Sequence, residues 1–144
     1  MNLATLIAKR AEEGRPIRVG MIGAGKFGTM FLAQAERQRG IHIIGICDLN
    51  LEATRSNLAL ANWTSEKYAA KSLDAAAKNG TTHVGDNWEA LVNHPAVEII
   101  IECTGNPMAA VTHILRAFDQ GKHVINCLLY TSPSPRDATL SGMA

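Results

Sequence analysis

The chain has 144 residues, a formal net charge of +1, 47% hydrophobic and 19% charged residues. That is room for one globular domain with a core of its own. The basic residues are scattered, which argues against a nucleic-acid or anionic-membrane surface, and no apolar run approaches the ~20 residues of a membrane span.

The chain opens with Met1-Asn2-Leu3-Ala4-Thr5-Leu6-Ile7-Ala8-Lys9-Arg10-Ala11-Glu12-Glu13-Gly14. No basic leader precedes an apolar core, so this is not read as a signal peptide. Leu3, Leu6, Ile7 and Arg10 follow helical spacing, and Gly14 and Pro16 stop the pattern. Residues 1–15 are expected to form a short amphipathic helix that packs on the domain or on a second subunit.

The segment from Ile17 to Gly28 reads as an apolar strand running straight into Gly23-Ala24-Gly25-Lys26-Phe27-Gly28. The pattern G-x-G-x-x-G between a strand and a helix is the phosphate-binding turn of a dinucleotide fold. Gly23 permits the sharp turn, Gly25 lets the backbone approach a pyrophosphate, and Gly28 lets the helix pack closely on the sheet. The helix start offers unpaired N–H groups and a positive dipole end to phosphate oxygens. Lys26 and Phe27 open that helix, which the spacing of Phe27, Met30, Phe31 and Ala35 carries to about Gln38.

Gly40 ends the helix, and a second apolar run, Ile41 to Cys47, ends in Asp48. Asp48 lies twenty residues beyond Gly28, where such folds place the acid that binds the adenosine ribose. A carboxylate pairs with a 2′-hydroxyl and repels a 2′-phosphate. Leu49-Asn50-Leu51 bring no cation, and Arg55 is a turn further on. NAD is therefore the expected cofactor, ahead of NADP. FAD and S-adenosylmethionine folds also use an acid after the second strand, but the complete glycine pattern favours a nicotinamide cofactor over the latter.

Helices are expected over about Leu51–Ala61 and Ser65–Lys78, the second stopping at Asn79-Gly80. Thr81-Thr82-His83-Val84 reads as a third strand, and Asp86 as the cap of a short helix through Val92 whose Trp88 and Leu91 pack on the sheet. Val97 to Cys103 is a nearly continuous apolar run, as a strand buried on both faces requires. A helix from about Met108 to Gln120 and a fifth strand, His123–Asn126, follow. The alternation of strands and helices gives an α/β fold with a doubly wound parallel sheet, a Rossmann domain spanning residues 16–126 and incomplete at its far end.

In such sheets ligands sit beyond the carboxyl ends of the strands where strand order reverses. The first and fourth strands flank that point, so Thr104, Gly105 and Asn106 are expected to face the glycine turn and to meet the nicotinamide-side ribose or carboxamide. Cys47, Cys103 and Cys127 show no disulfide or zinc spacing, which fits a reducing cytoplasm. Cys103 has no partnered base at a recognisable spacing and reads as a small strand-end residue. His42, His83, His94, His113 and His123 show no ligand spacing and read as surface or core residues.

Cys127 to Asp137 breaks the pattern, with two prolines where the fold should continue. All eleven residues match one reading frame of a transposase adapter used in short-read library preparation. Residues 127–144 are therefore expected to be adapter read-through, with the native sequence cut at about Asn126 and no part in the fold.

The glycine-turn segment, together with Cys47-Asp48, Asp86 to Leu91, Val97 to Pro107 and Gly121 to Ile125, resembles the N-terminal domain of two related groups. One is the homoserine-dehydrogenase-like oxidoreductases, especially those carrying a C-terminal SAF domain. The other is the glucose–fructose oxidoreductase and inositol dehydrogenase family. In the sugar dehydrogenases Gly-Lys-His-Val is typically followed by Glu-Lys-Pro with a catalytic lysine; here Ile125-Asn126 stands instead, which looks more like the first group. The resemblance implies hydride transfer to or from a hydroxyl or carbonyl carbon, a small-molecule substrate held by a missing downstream domain, and a homo-oligomeric full-length protein. It carries no catalytic lysine or acid onto this chain, so the 144-residue piece is expected to be inactive by itself. A sugar or polyol dehydrogenase is the second reading, and a non-catalytic dinucleotide-binding module the third.

Overall fold

The computed structural model describes residues 2–127, without the side chains of Leu3, Lys26 and Phe27. Cys127, the first residue of the adapter-like segment, was expected to take no part in the fold, but it is buried in the core and donates its N–H to Glu102 O at 3.0 Å, because it continues directly from the strand His123–Asn126 along the strand Ile99–Glu102. The rest of that segment, residues 128–144, lies outside the described residues.

A five-stranded parallel sheet has the order β3-β2-β1-β4-β5. Its strands are β1 Ile17–Ile22, β2 Ile41–Cys47, β3 His83–Gly85, β4 Ile99–Glu102 and β5 His123–Asn126. The helices are α1 Leu3–Glu12, α2 Lys26–Ala35, α3 Leu51–Leu60, α4 Leu73–Asn79, α5 Trp88–Asn93 and α6 Pro107–Asp119. The chain runs outward from β1 to β3, then crosses back to β4 beside β1, so strand order reverses between β1 and β4. This is the expected doubly wound Rossmann arrangement with its short N-terminal helix.

Both faces of the sheet are covered, which is why the central strands are largely apolar rather than alternating. On one face Val19, Met21, Ile43, Ile46 and Ile101 pack with Leu32 of α2 and Leu58 of α3. On the other, Ile22, Ile44 and Ile100 pack with Ala76 of α4, Leu91 of α5 and Ala117 of α6. Trp63 is buried after α3, its indole N–H donating to Leu32 O at 3.1 Å. Helix α1 packs on the domain itself: Ile7 lies against Gly40, and Arg10 pairs with Glu98 at 2.8 Å.

Two local expectations need correction. The helix expected over 65–78 is split into a single 3₁₀ turn, Ser65–Tyr68, and α4. The intervening backbone is drawn sideways to the chain entering β3, with Thr82 N–H donating to Lys67 O at 2.7 Å and Ala70 N–H to Thr82 O at 3.3 Å. Ser72 then caps α4 through Ala75 N–H at 3.1 Å, and Gly80 closes it in the left-handed region. Helix α5 is capped by Asn87, not Asp86: Asn87 Oδ1 accepts from Ala90 N–H at 3.0 Å.

Candidate functional site

The glycine turn is locked between three strands. Cys103 N–H donates to Ile22 O, and Gly23 N–H donates to Cys47 O, each at 2.7 Å. Gly23 has φ +90°, and a Cβ there would lie 2.7 Å from the Cys103 carbonyl carbon and 2.8 Å from Thr104 N. Only glycine satisfies both demands. The same close approach brings the loop after β4 directly against the turn.

Gly25 is the N-cap residue of α2 and supplies no side-chain cap. A Cβ built on it meets nothing within 4 Å, so the helix start, whose first N–H groups have no partner within the helix, faces open space. Gly28 lies behind the turn, where a Cβ would stand 3.0 Å from Gly23 O and 3.4 Å from Met21 Sδ. Thr29 Oγ1 donates to Gly25 O at 2.9 Å and secures the first helical turn.

Asp48 spans the β1 and β2 ends. Its Oδ2 accepts from Ala24 N–H at 2.8 Å, and its Oδ1 from Asn50 N–H at 3.1 Å. Asn50 in turn caps α3 through Ala53 N–H at 2.9 Å. The carboxylate thus fixes the turn while keeping acceptor positions for a ligand.

The β4 side carries a second network. Glu102, only 1% exposed, accepts through Oε1 from Thr104 N–H at 2.9 Å and Thr104 Oγ1 at 2.7 Å, and through Oε2 pairs with His113 Nδ1. The His113 ring tilts against Trp88, centroids 4.5 Å apart. Asn106 caps α6, its Oδ1 accepting from Met108 N–H at 3.1 Å and Ala109 N–H at 3.2 Å. Gly105 holds a positive φ of 72° in the same loop.

These groups surround one crevice of ≈ 460 Å³ lined by Gly23, Gly25, Asp48, Trp88, Thr104, Asn106 and His113, among others. It lies at the carboxyl ends of β1 and β4, where the strand order reverses. Burial pushes the Cys47 thiol up to about 11, with the Asp48 and Asp86 charges adding to it. Burial raises Cys103 as well, and its contact with Cys127, Sγ to Sγ 3.0 Å, adds to the effect. Neither thiol is an activated nucleophile. Among the described residues no group of His, Cys, Asp and Glu could hold a metal.

A family model described as an oxidoreductase family with an NAD-binding Rossmann fold matches residues 17–126. The chain belongs to that family. It is 28% identical over 120 residues to a homoserine dehydrogenase of Methylobacillus glycogenes, covering 77% of this chain and 24% of the relative. Among solved structures, a homoserine dehydrogenase from Thiobacillus denitrificans matches with TM-score 0.56 and 22% identity over 79% of this chain and 24% of that one. A myo-inositol dehydrogenase from Lactobacillus casei, solved with NAD(H) and myo-inositol, matches with TM-score 0.55 and 18% identity over 77% and 28%. The two structural likenesses show the shared fold. The chain spans about a quarter of the length of the curated relative it matches.

Within this NAD-binding domain the crevice brings together Gly23, Gly25, Asp48, Thr104 and Asn106, as the sequence leads one to expect. Gly28 supports the turn from behind. The side chains of Lys26 and Phe27 lie outside the described residues. Trp88, expected only to pack on the sheet, lines the crevice, and Glu102 and His113 were not singled out by the motif. One signal for them was present: a glutamate inside the apolar run of β4 must find partners, because an unpaired buried carboxylate is costly.

Proposed function

We propose that residues 16–126 are the cofactor-binding part of an NAD(P)-dependent dehydrogenase of homoserine-dehydrogenase-like type. The full protein would transfer hydride to or from a hydroxyl or carbonyl carbon. The observation that carries the reading is the Gly23–Gly25 turn, tied by Asp48 and open at Gly25, facing the β4 loop across the switch-point crevice. The pyrophosphate would take the N–H groups at the start of α2, with Gly23, Gly25 and Gly28 shaping the approach and Lys26 and Phe27 opening the helix. Asp48 would take the adenosine ribose, and its negative charge favours NAD over NADP. Thr104, Gly105 and Asn106 would border the nicotinamide half. The bound nicotinamide supplies the hydride donor or acceptor; the residues named here bind and orient it.

Substrate residues are assigned to a downstream part of a longer protein. The coverage of the relatives supports this, as does the outer face of α6, where Met108, Val111, Leu115 and Phe118 are all more than half exposed. The 144-residue chain is therefore expected to bind NADH and to produce none from homoserine or inositol. Calorimetric titration with NADH and NADPH tests the cofactor assignment, and tighter NADPH binding would overturn the NAD preference. The likeness to an inositol dehydrogenase keeps a sugar or polyol dehydrogenase as the second reading. A long adapter-free read of the source DNA through codon 126 separates the two: a Glu-Lys-Pro segment would select the second, and a SAF domain the first.

A further inference from the structure

A second carboxylate stands beside Asp48. Strands β2 and β3 run parallel with Cys47 opposite Gly85, and Asp48 N–H donates to Gly85 O at 3.0 Å. The residue after each strand is an aspartate, so Asp48 and Asp86 leave the sheet as neighbours, their backbones about one strand spacing (~5 Å) apart. Both line the switch-point crevice, and both charges help to raise the Cys47 thiol. Their local duties differ. Asp48 accepts from Ala24 N–H and Asn50 N–H, and Asn87 rather than Asp86 caps α5. Asp86 is exposed, and its side chain makes no hydrogen bond or ion pair among the described residues. Its charge is left to act on whatever enters the crevice. No lysine or arginine lines that crevice among the described side chains, and its one histidine is paired with Glu102. The family supplies the ligand, an NAD-type dinucleotide. With the adenosine ribose at Asp48, a 2′-phosphate would meet two negative charges instead of one, whereas a 2′-hydroxyl meets neither as a like charge.

We propose that Asp86 is a second specificity-determining residue, whose charge beside Asp48 disfavours the 2′-phosphate of NADP and leaves NAD unhindered. The inference rests on the dinucleotide reading given above and concerns the choice between two cofactors at that site.

Calorimetry on the 144-residue chain and its Asp86→Asn variant, with NADH and NADPH at low and high salt, tests it. In low salt Asp86→Asn should raise NADPH affinity roughly fivefold and NADH affinity by less than about twofold. The difference should shrink in ~1 M salt, where the screening length is about 3 Å. Asp86→Glu keeps the charge and should keep the parent's NADPH-to-NADH ratio. Glu12→Gln is the control for a general change of net charge. It ends α1, which packs at Gly40 and Glu98 before the amino ends of β2 and β4, away from the crevice. It should leave the ratio unchanged. The same rise in Glu12→Gln as in Asp86→Asn would overturn the proposal, as would a ratio that Asp86→Asn does not move. If the unmutated chain binds neither cofactor, the dinucleotide reading falls and the proposal falls with it. If it binds them and Asp86→Asn leaves their ratio as it was, only the proposal falls.

Discussion

The two sides of the crevice are built by opposite strategies. On the β1–β2 side the backbone does the work: Gly23 turns, Gly25 stays bare, and one carboxylate, Asp48, reaches across to Ala24 N–H. On the β4 side a buried side-chain network does it, with Glu102 gathering Thr104 and His113. The first strategy leaves a short spaced motif in the sequence. The second leaves residues eleven apart that meet only because α6 folds back over β4. Backbone devices tolerate few substitutions, whereas a network can be loosened one bond at a time.

The contrast is sharpest at Gly23. Gly23→Ala should destabilise the fold by about 3 kcal/mol, because the left-handed φ and the clash with the Cys103 backbone act together; chemical denaturation measures it, and a loss under about 1 kcal/mol would show that the turn relaxes. Gly25→Ala should do the reverse. With open space around it and an ordinary φ of −72°, stability should change by less than about 0.5 kcal/mol, while NADH affinity falls on the order of tenfold as the methyl obstructs the pyrophosphate. Unchanged binding would move the phosphate site away from this turn.

Asp48→Asn should weaken NADH by about 1–2 kcal/mol, since the amide is a poorer acceptor for a ribose hydroxyl and a weaker anchor for Ala24 N–H. NADPH should lose less or gain, narrowing the preference; a parallel loss of both would leave Asp48 only its role as anchor. Gly28→Ala is expected to cost about 1 kcal/mol, because the Cβ presses on Gly23 O and on the movable Met21 sulfur. The smallest effect is alkaline. The Cys47 thiol titrates at about 11 in the folded chain against an ordinary 9.0, burial being the main cause. The unfolded chain then loses its proton first, so the Cys47 contribution is intact below pH 9.0 and declines as pH rises to about 11. A Cys47→Ala variant should show a shallower alkaline decline in denaturation midpoint than the parent; identical slopes would refute the assignment.

Much of the fold was legible because strand and turn signals are local. The runs Ile41–Cys47 and His123–Asn126 are strands over those residues, and Gly80 stops α4 where Asn79-Gly80 indicated. The helix expected over 65–78 failed for a non-local reason: Lys67 O and Ala70 N–H bond to Thr82, which no window of the sequence around them contains. Lys122 is similar. It stands in the Gly-Lys-His-Val segment that carries part of the family resemblance, yet its Nζ donates to His94 O at 2.6 Å and Val97 O at 2.7 Å, tying down the entry to β4. Partial burial lowers its pKa.

By itself the sequence determined the parallel α/β architecture, the place of the glycine turn and the acid that faces it, because period, glycine spacing and strand-end position are properties of a continuous chain. Only the tertiary structure decided which groups share the crevice with them. His113 and Trp88 come from α6 and α5, Glu102 of β4 holds His113 from behind, and a buried carboxylate finds its partners through space, at positions that the order of residues does not mark.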